Sequence, residues 1–566
     1  MTSFSLFHRP TFQRKLRDVT SLTHLQAFLS ALFSYALRYK DTIPSLKTSA
    51  LEAKEMLEIS SRLQMKCVEG CLDDDPPLHL LQSFLLVTFQ KLIHGVRGRT
   101  WRMLGECIRI AYELRLHLID VESIKGQSEI SHDIEHETFI LTEERRRVWW
   151  ACYEMDIFAS TIRKMPNAID ERLNCTRLPV SDDDWFRGFE SRSCFLLPDA
   201  THRWKEVAAS GNQSPQTWFI LINSYMFDAF QMGAFPEVWQ KRVGFHADQL
   251  PSKKKTSVPD LRKFLDFLEN CLQCAQIALP EQLEWKERLL VFDGASRAID
   301  CARFSIHVMS QLARLMLCIW EVNRASMALQ HSETDRGRSA SFSHPTPTAT
   351  AAQEQAWVKY IDAANLTARM VRNSAPYHLR FVNPLIANAI WISAASLVVA
   401  KLFAPHNFDS CQAQSNFDLL VVTLNKYEAF WEIPCVLKHK LQNLESTLRN
   451  IRQCTPGTED ATMVDGRSPM FSASDPVQQS HAQAHTSHLS NVHSQQAVDL
   501  SSNTVTDFSS QDWLAQDFFD FNAIPSLGPG PSRSITPFVF DPIFDGNVLS
   551  DTEFFNFNDL FAYPYQ

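Results

Sequence analysis

The sequence predicts an all-α protein, a large body of packed antiparallel helices followed by a disordered carboxyl-terminal tail. Apolar residues recur at spacings of three and four from Leu22 to Val121, as in Leu51, Met56, Leu57 and Leu63, the signature of one helical face. Alternating β-branched runs of the kind that make strands are scarce. After Cys454 the composition turns to Pro, Ser, Gln, His and Thr, which cannot bury enough apolar surface to offset chain entropy. With 566 residues, 45% of them hydrophobic, the chain can fill a large core and still carry segments outside it.

The elements follow in order. Asp73 to Pro77 breaks the first helices, because its two prolines cannot continue one, and a long apolar segment runs from His79 to Ile93. Gly95 and Gly98 then precede a helix that begins near Thr100 within GRTWRMLGECIRIAYELRLH. Trp101, Leu104, Ile108 and Ala111 share one of its faces and Met103, Cys107, Ile110 and Leu114 the adjoining one, so it is expected to lie buried among other helices.

A polar segment from Glu122 to Glu137 leads to a second patterned helix, TEERRRVWWACYEMDIFASTIRK. Thr142 is expected to cap it, with Glu143 and Glu144 in the first turn, where the helix dipole favours negative charge. Val148, Cys152, Met155, Ala159 and Ile162 form a buried stripe, with Trp149, Tyr153 and Asp156 beside it. Asp156 sits among apolar neighbours and needs a buried partner, for which Arg163 is the candidate. Arg145, Arg146 and Arg147 are offset by the adjacent glutamates and are expected to pair with Asp182, Asp183 or Asp184 rather than to touch DNA. MPNAIDERLNCTRLPVSDDDWF reads as an ordered loop. Further helices are expected over Trp218 to Met232, Leu261 to Ala278, Ala298 to Leu329, Gln355 to Arg372, Leu385 to Leu402, Asn416 to Phe430 and Cys435 to Cys454. Between the third and fourth of these, a Ser-, Thr- and Pro-rich stretch over residues 331–354 is expected to be a disordered insertion. The domain plan is a helical body over residues 1–454, a linker over 455–506 and a tail over 507–566.

Charge and cysteine usage exclude several classes. A net charge of −9 argues against a chain whose main task is to grip phosphates. The 13 cysteines form no framework spacing, so reduced thiols in the cytosol or nucleus are expected. The amino terminus, with Arg9, Arg14, Lys15 and Arg17, lacks the apolar run of a secretory signal. Pro384 to Lys401 is the most apolar stretch, but it contains Asn388, Ser393 and Ser396 and reads as a buried core helix rather than a bilayer span. No membrane partner is expected.

Three spacings resemble chemistry without its context. His132, Glu135 and His136 spell HxxEH, yet they lie in a polar connector with no third ligand to single out. Cys271 and Cys274 form a lone CxxC, and Cys67 and Cys71 lie one turn apart on a helix; all four read as small hydrophobes. No nucleophile elbow, phosphate loop, dinucleotide fingerprint or EF-hand is present. No catalytic residue, metal ligand or cofactor is therefore expected in this chain.

The tail alternates acids with aromatics: Phe508, Trp513, Phe518, Phe519, Phe521, Phe540, Phe544, Phe554, Phe555, Phe557 and Phe561 stand among Asp507, Asp512, Asp517, Asp520 and other acids. Mutual repulsion keeps such a segment solvated and leaves its rings available to apolar grooves on a partner. That is the composition of an acidic activation region. Lys253, Lys254 and Lys255 form a cationic run before Pro259, as a nuclear import signal requires.

SLFHRPTF at Ser5 to Phe12, then GRTWRMLGECIRIAYELRLH, EERRRVWWACYEMDIFAS and RKMPNAIDERLNCTRLPVSDDDW, together resemble the fungal-specific transcription factor domain, or middle homology region, over about residues 1 to 450. The resemblance implies a modular protein in which a zinc module reads DNA, a helical region tunes activity and often dimerises, and an acidic tail recruits the transcription apparatus. No six-cysteine cluster or two-cysteine, two-histidine finger spacing occurs here. Zinc is accordingly expected only in an amino-terminal module absent from this chain, and DNA contact only through that module or indirectly. The expected function is regulation of a fungal gene set in the nucleus, leaning to a secondary-metabolite cluster, with coactivators and a homo- or heterodimer as partners. The rival reading is a finger-less interaction protein that modulates related factors by heterodimerisation.

Overall fold

The computed structural model describes residues 4–41, 51–71, 74–124, 136–234, 258–334, 347–404, 408–433 and 436–454. Among the described residues all regular structure is helical, apart from one isolated bridge between Leu290 and Ser374. The first helices are α1 (Phe12–Arg17), α2 (Leu22–Ala36), α3 (Ala53–Cys71), α4 (Leu78–Ile93) and α5 (Gly98–Glu113). Next come α6 (Val121–Ile124), α7 (His136–Arg163), α8 (Asp182–Arg187), α9 (Ala200–Ser210), α10 (Pro215–Ala234) and α11 (Val258–Ile277). The last are α12 (Arg297–Thr334), α13 (Pro347–Arg372), α14 (Ala387–Phe403), α15 (Ser410–Trp431) and α16 (Val436–Cys454).

Helices pack mainly on their neighbours along the chain. α2 lies against α3 and α4, α4 against α5 and α7, α7 against α10, α10 against α12, and α12, α13, α14 and α15 each against the next. One connected apolar core runs through them from Phe4 to Leu448. Its formation follows from the three-and-four spacing, since each helix presents an apolar stripe that only another helix can cover.

Several expectations change at the ends of elements. α5 stops at Glu113, and Arg115 takes a left-handed conformation (φ 54°) that turns the chain into a short 3₁₀ turn at Leu116–Leu118. α5 is also less enclosed than expected, because Arg102, Arg109 and Glu113 keep one side in water. α7 begins at His136, inside the segment read as a polar connector, so Thr142 is an interior residue and not the cap. The reason is tertiary: Phe139 is buried with Val180 and Trp185, and that contact holds the extra turns in place. α8, capped by Ser181 through the amide of Asp184, and α9, capped by Asp199, arise where the sequence suggested loop or nothing. Helices also enter the stretch read as a disordered insertion: α12 continues to Thr334 and α13 starts at Pro347, a residue tolerated at a helix start. The interior of that insertion, residues 335–346, lies outside the described residues.

α14 is the one described helix long and apolar enough to cross a bilayer, with its preceding turn, and 78% of that window is buried inside the body. Its buried hydroxyls are answered within the helix, Ser393 donating to the Ala389 carbonyl and Ser396 to that of Ile392. Trp391 donates to the Leu437 carbonyl at 2.9 Å and so ties α14 to α16.

Candidate regulatory site

α7 is buried around most of its circumference, and both of its ends carry polar groups that a surface helix would leave in water. The expected stripe of Val148, Cys152, Met155, Ala159 and Ile162 is buried, but so are Trp149, Trp150, Tyr153, Glu143, Glu144, Glu154 and Asp156. Burying so many polar groups is tolerable only if they are paired. The first half of α7 meets that demand.

Arg147 is 1% exposed, and its guanidinium lies 4.1 Å from the centroid of the Trp185 ring. It donates to Glu143 at 3.0 Å, to Asp182 at 2.5 Å and to the Val180 carbonyl at 2.7 Å, using the fork geometry that only arginine offers. Glu143 also accepts from the Val180 amide at 3.0 Å and from Arg146 at 3.3 Å. Arg146 turns to Asp120, whose second role is to accept from the Arg177 amide at 2.9 Å. Arg145 reaches the Leu114 carbonyl at 2.9 Å. Of the three acids the sequence offered as partners, Asp182 is the one that pairs, and the other two arginines find partners elsewhere. These contacts fasten the loop between α7 and α8 to α7, and Trp149 and Trp150 extend the fastening by donating to Asn174 and to the Arg177 carbonyl.

The amino-terminal segment closes over the same end. Ser5 donates to Asp182 at 2.6 Å, the His8 ring meets the Trp185 carbonyl at 3.1 Å, and Lys15 pairs with the buried Glu144. Gln82 of α4 bridges the Leu6 carbonyl and Glu144. The SLFHRPTF, EERRRVWW and PVSDDDW blocks thus meet in space, and their function there is cohesion.

Asp156 does not pair with Arg163. It accepts from the amides of Ala168 and Ile169 at 2.8 and 2.9 Å and from Ser160 at 3.3 Å, while Arg163 donates to the Val96 carbonyl and lies over Trp101. Two backbone amides are a better buried partner than a long side chain pulled back along its own helix, because the loop supplies them at no rotamer cost. Burial still pushes the Asp156 carboxyl up to about 6.

The second half of α7 faces a narrow cavity of about 50 Å3, bounded by Phe4, by Glu154, Ile157, Phe158, Thr161 and Ile162 of α7, by α10, α12 and α14, and by the Asn383–Ile386 turn. Its walls are apolar except for Glu154, Thr161, Asn223, Asn383 and Asn388, and no lysine, arginine or histidine lines it. Glu154 is 4% exposed and receives one long hydrogen bond, 3.3 Å, from Gln216. Burial pushes its carboxyl up to about 8, so it is largely protonated near neutral pH. Asn223 is 5% exposed, and its Oδ1 has no hydrogen-bond partner. The sequence reading missed both residues. A glutamate within the apolar run WACYEMDIF was the available signal for the first; for Asn223, inside the run WFILINSYMF, there was a polar interruption of an apolar helix and nothing more.

No group of three or more His, Cys, Asp or Glu suited to a metal occurs among the described residues. His136 of the HxxEH spacing starts α7, while His132 and Glu135 lie outside the described residues. Cys67 and Cys271 are buried free thiols that burial pushes up to about 11, and Cys71 and Cys274 are free and half-buried, which fits inert packing rather than ligation. The aromatics of the tail from Phe508 to Phe561, and Lys253, Lys254 and Lys255, lie outside the described residues, so the geometry brings none of them to this site.

Residues 2–227 match the family model described as the fungal specific transcription factor domain. The match ends at 227, short of the 450 expected, although the apolar core continues past it. Transcription factor tazR of Aspergillus terreus is 33% identical over 22% of this chain and 18% of its own length. The Zn(2)-C6 fungal-type transcription factor FTF1c of Fusarium oxysporum is 29% identical over 32% of this chain and 18% of its own. The ascochitine biosynthesis cluster transcriptional regulator of Didymella fabae is 27% identical over 29% of each chain. The matched stretches span under a third of these relatives' own lengths. No solved structure matches.

Proposed function

We propose that this chain, whose residues 2–227 form a fungal specific transcription factor domain, is a nuclear transcription regulator and not an enzyme. Its helical body is the controlling scaffold, and residues 507–566 recruit transcription coactivators. The domain match carries the reading, and three relatives named as transcription factors or regulators support it. Burial of Arg146 and Arg147 agrees with it, since the most basic run of the domain holds the fold together and offers no phosphate-binding face. A biosynthetic gene cluster is the target class, by analogy with the regulator from Didymella fabae. Any zinc and any direct DNA contact belong to a separate DNA-reading module rather than to the helical body, which itself is the surface for homo- or heterodimerisation.

Fusing residues 507–566 to a foreign DNA-binding module tests the recruiting step. The fusion should switch on a reporter, and replacing Phe518, Phe519 and Phe521 with alanine should lower that signal several-fold. A silent reporter with the intact segment would refute the activator reading. Nuclear entry is tested separately by Lys253→Ala, Lys254→Ala and Lys255→Ala in a fluorescent fusion, which should shift the protein towards the cytoplasm.

A further inference from the structure

We propose that the loop between α11 and α12 forms a binding site for a small aromatic carboxylate, its ring held by Trp285 and Leu289 and its charge by Arg288 and Arg303. The inference rests on this loop alone and holds whether or not the carboxyl-terminal segment activates transcription.

A hollow of about 420 Å3 is lined by the loop from Glu281 to Leu290 and by Arg303 of α12, a volume within the range of small-molecule sites. Its wall is fixed in one shape. The Trp285 amide donates to His307 at 3.0 Å and its indole N–H to the Arg288 carbonyl at 2.9 Å. The Leu290 amide reaches the Asn373 carbonyl at 2.8 Å, and its carbonyl accepts from the Ala375 amide at 2.9 Å. Asp300 accepts from the amides of Val291 and Phe292 at 3.1 and 3.0 Å. Those bonds hold Glu287 and Phe292 in left-handed conformations, φ 56° and 57°, which a bulky side chain such as phenylalanine disfavours. Strain of this kind collects at ligand clamps, where the surroundings over-determine the backbone.

The lining also sets the chemistry of the occupant. Leu289 is 65% exposed and Trp285 is half-buried, so the wall offers an aliphatic side chain and an indole to a ring. Glu281 and Glu284 both pair with Lys286, at 2.9 and 3.5 Å, and Glu287 pairs with Arg369 at 2.8 Å. Those charges answer one another. The exposed Arg288 guanidinium has no ion pair among the described residues. Arg303 donates through Nε to the Gln282 carbonyl at 2.8 Å and through Nη1 to Asp300 at 3.4 Å, which leaves its Nη2 to a ligand. The donors left over at the wall are thus those of two guanidinium groups, whose planar forks match a carboxylate. A cation would meet those groups and no acid that is not already paired.

Purified full-length protein, titrated by calorimetry at pH 7 with naphthoate, naphthamide and naphthylmethylamine, tests this. Naphthoate should bind about tenfold more tightly than naphthamide, the difference expected of a hydrogen bond to a charged group, and the ammonium compound should bind no better than naphthamide. Arg288→Gln should remove most of the naphthoate advantage, and Leu289→Ser should weaken both naphthoate and naphthamide several-fold. Both residues are exposed, so neither variant threatens the fold. Equal affinities for naphthoate and naphthamide in the natural protein would overturn the proposal, as would a preference for the ammonium compound, an absence of naphthoate binding at millimolar concentration, or a naphthoate advantage unchanged in Arg288→Gln.

Discussion

Glu143 and Glu154 lie about three turns apart on α7, both out of water, and their surroundings treat them in opposite ways. Glu143 is surrounded by two guanidinium groups and a backbone amide. Glu154 has one neutral amide and a cavity. A cluster like the first ties the amino-terminal segment, α7 and the loop after it together, because all three supply partners to it. A carboxyl like the second keeps hydrogen-bonding capacity unused, since Gln216 alone donates to it, at 3.3 Å. One helix therefore divides its buried polarity between holding the fold and, at the other end, presenting unused hydrogen-bonding capacity to a cavity.

The comparison can be broken most directly at Arg147. Arg147→Leu takes a guanidinium from Glu143, which keeps Arg146 and the Val180 amide, and from Asp182, which keeps Ser5, and should cost about 3 kcal/mol in urea unfolding, whereas Arg147→Lys should recover only part of that because it cannot fork. A loss under 1 kcal/mol would show that the pairing does not hold this end together.

Glu154 should show the opposite behaviour. Its carboxyl is raised from 4.5 to about 8, so the folded state holds a proton that the unfolded state has released. That contribution is full below pH 4.5 and is lost as pH rises through 8. Glu154→Gln keeps the neutral form at every pH. It should match the natural protein below pH 4.5 and pull ahead of it as pH rises, by on the order of 5 kcal/mol above pH 8. Parallel stability profiles for the two proteins would contradict a buried carboxyl held by one long hydrogen bond.

Asp156 sharpens the contrast, standing between the extremes with two amide partners and a carboxyl raised from 3.8 to about 6. Asp156→Asn should remove the part of the slope that runs from pH 3.8 to 6, at a cost of about 1 kcal/mol. The smallest effect belongs to Ser181→Ala. Loss of the α8 cap should lower stability by about 1 kcal/mol or less, with hydrogen exchange quickening at Asp184 while the amides of α7 stay protected.

Periodicity alone determined that the body is all-α, that the stripe from Val148 to Ile162 faces the core, and that the apolar Pro384 to Lys401 stretch is internal. Those conclusions depend on spacing and composition, which are local properties of a chain. Composition likewise marked the acidic aromatic stretch beyond Asp507. What the tertiary structure decided was everything that depends on who meets whom. Thr142 lost its place as a cap because Phe139 gained distant partners in Val180 and Trp185, and Asp156 was answered by loop amides rather than by Arg163. Asp182 was selected over Asp183 and Asp184 because it alone of the three reaches Arg147. That the Asn223 oxygen goes unpaired was invisible in sequence for the same reason. A buried asparagine and a solvated one are the same letter, and only packing from four helices determines whether its oxygen finds a donor.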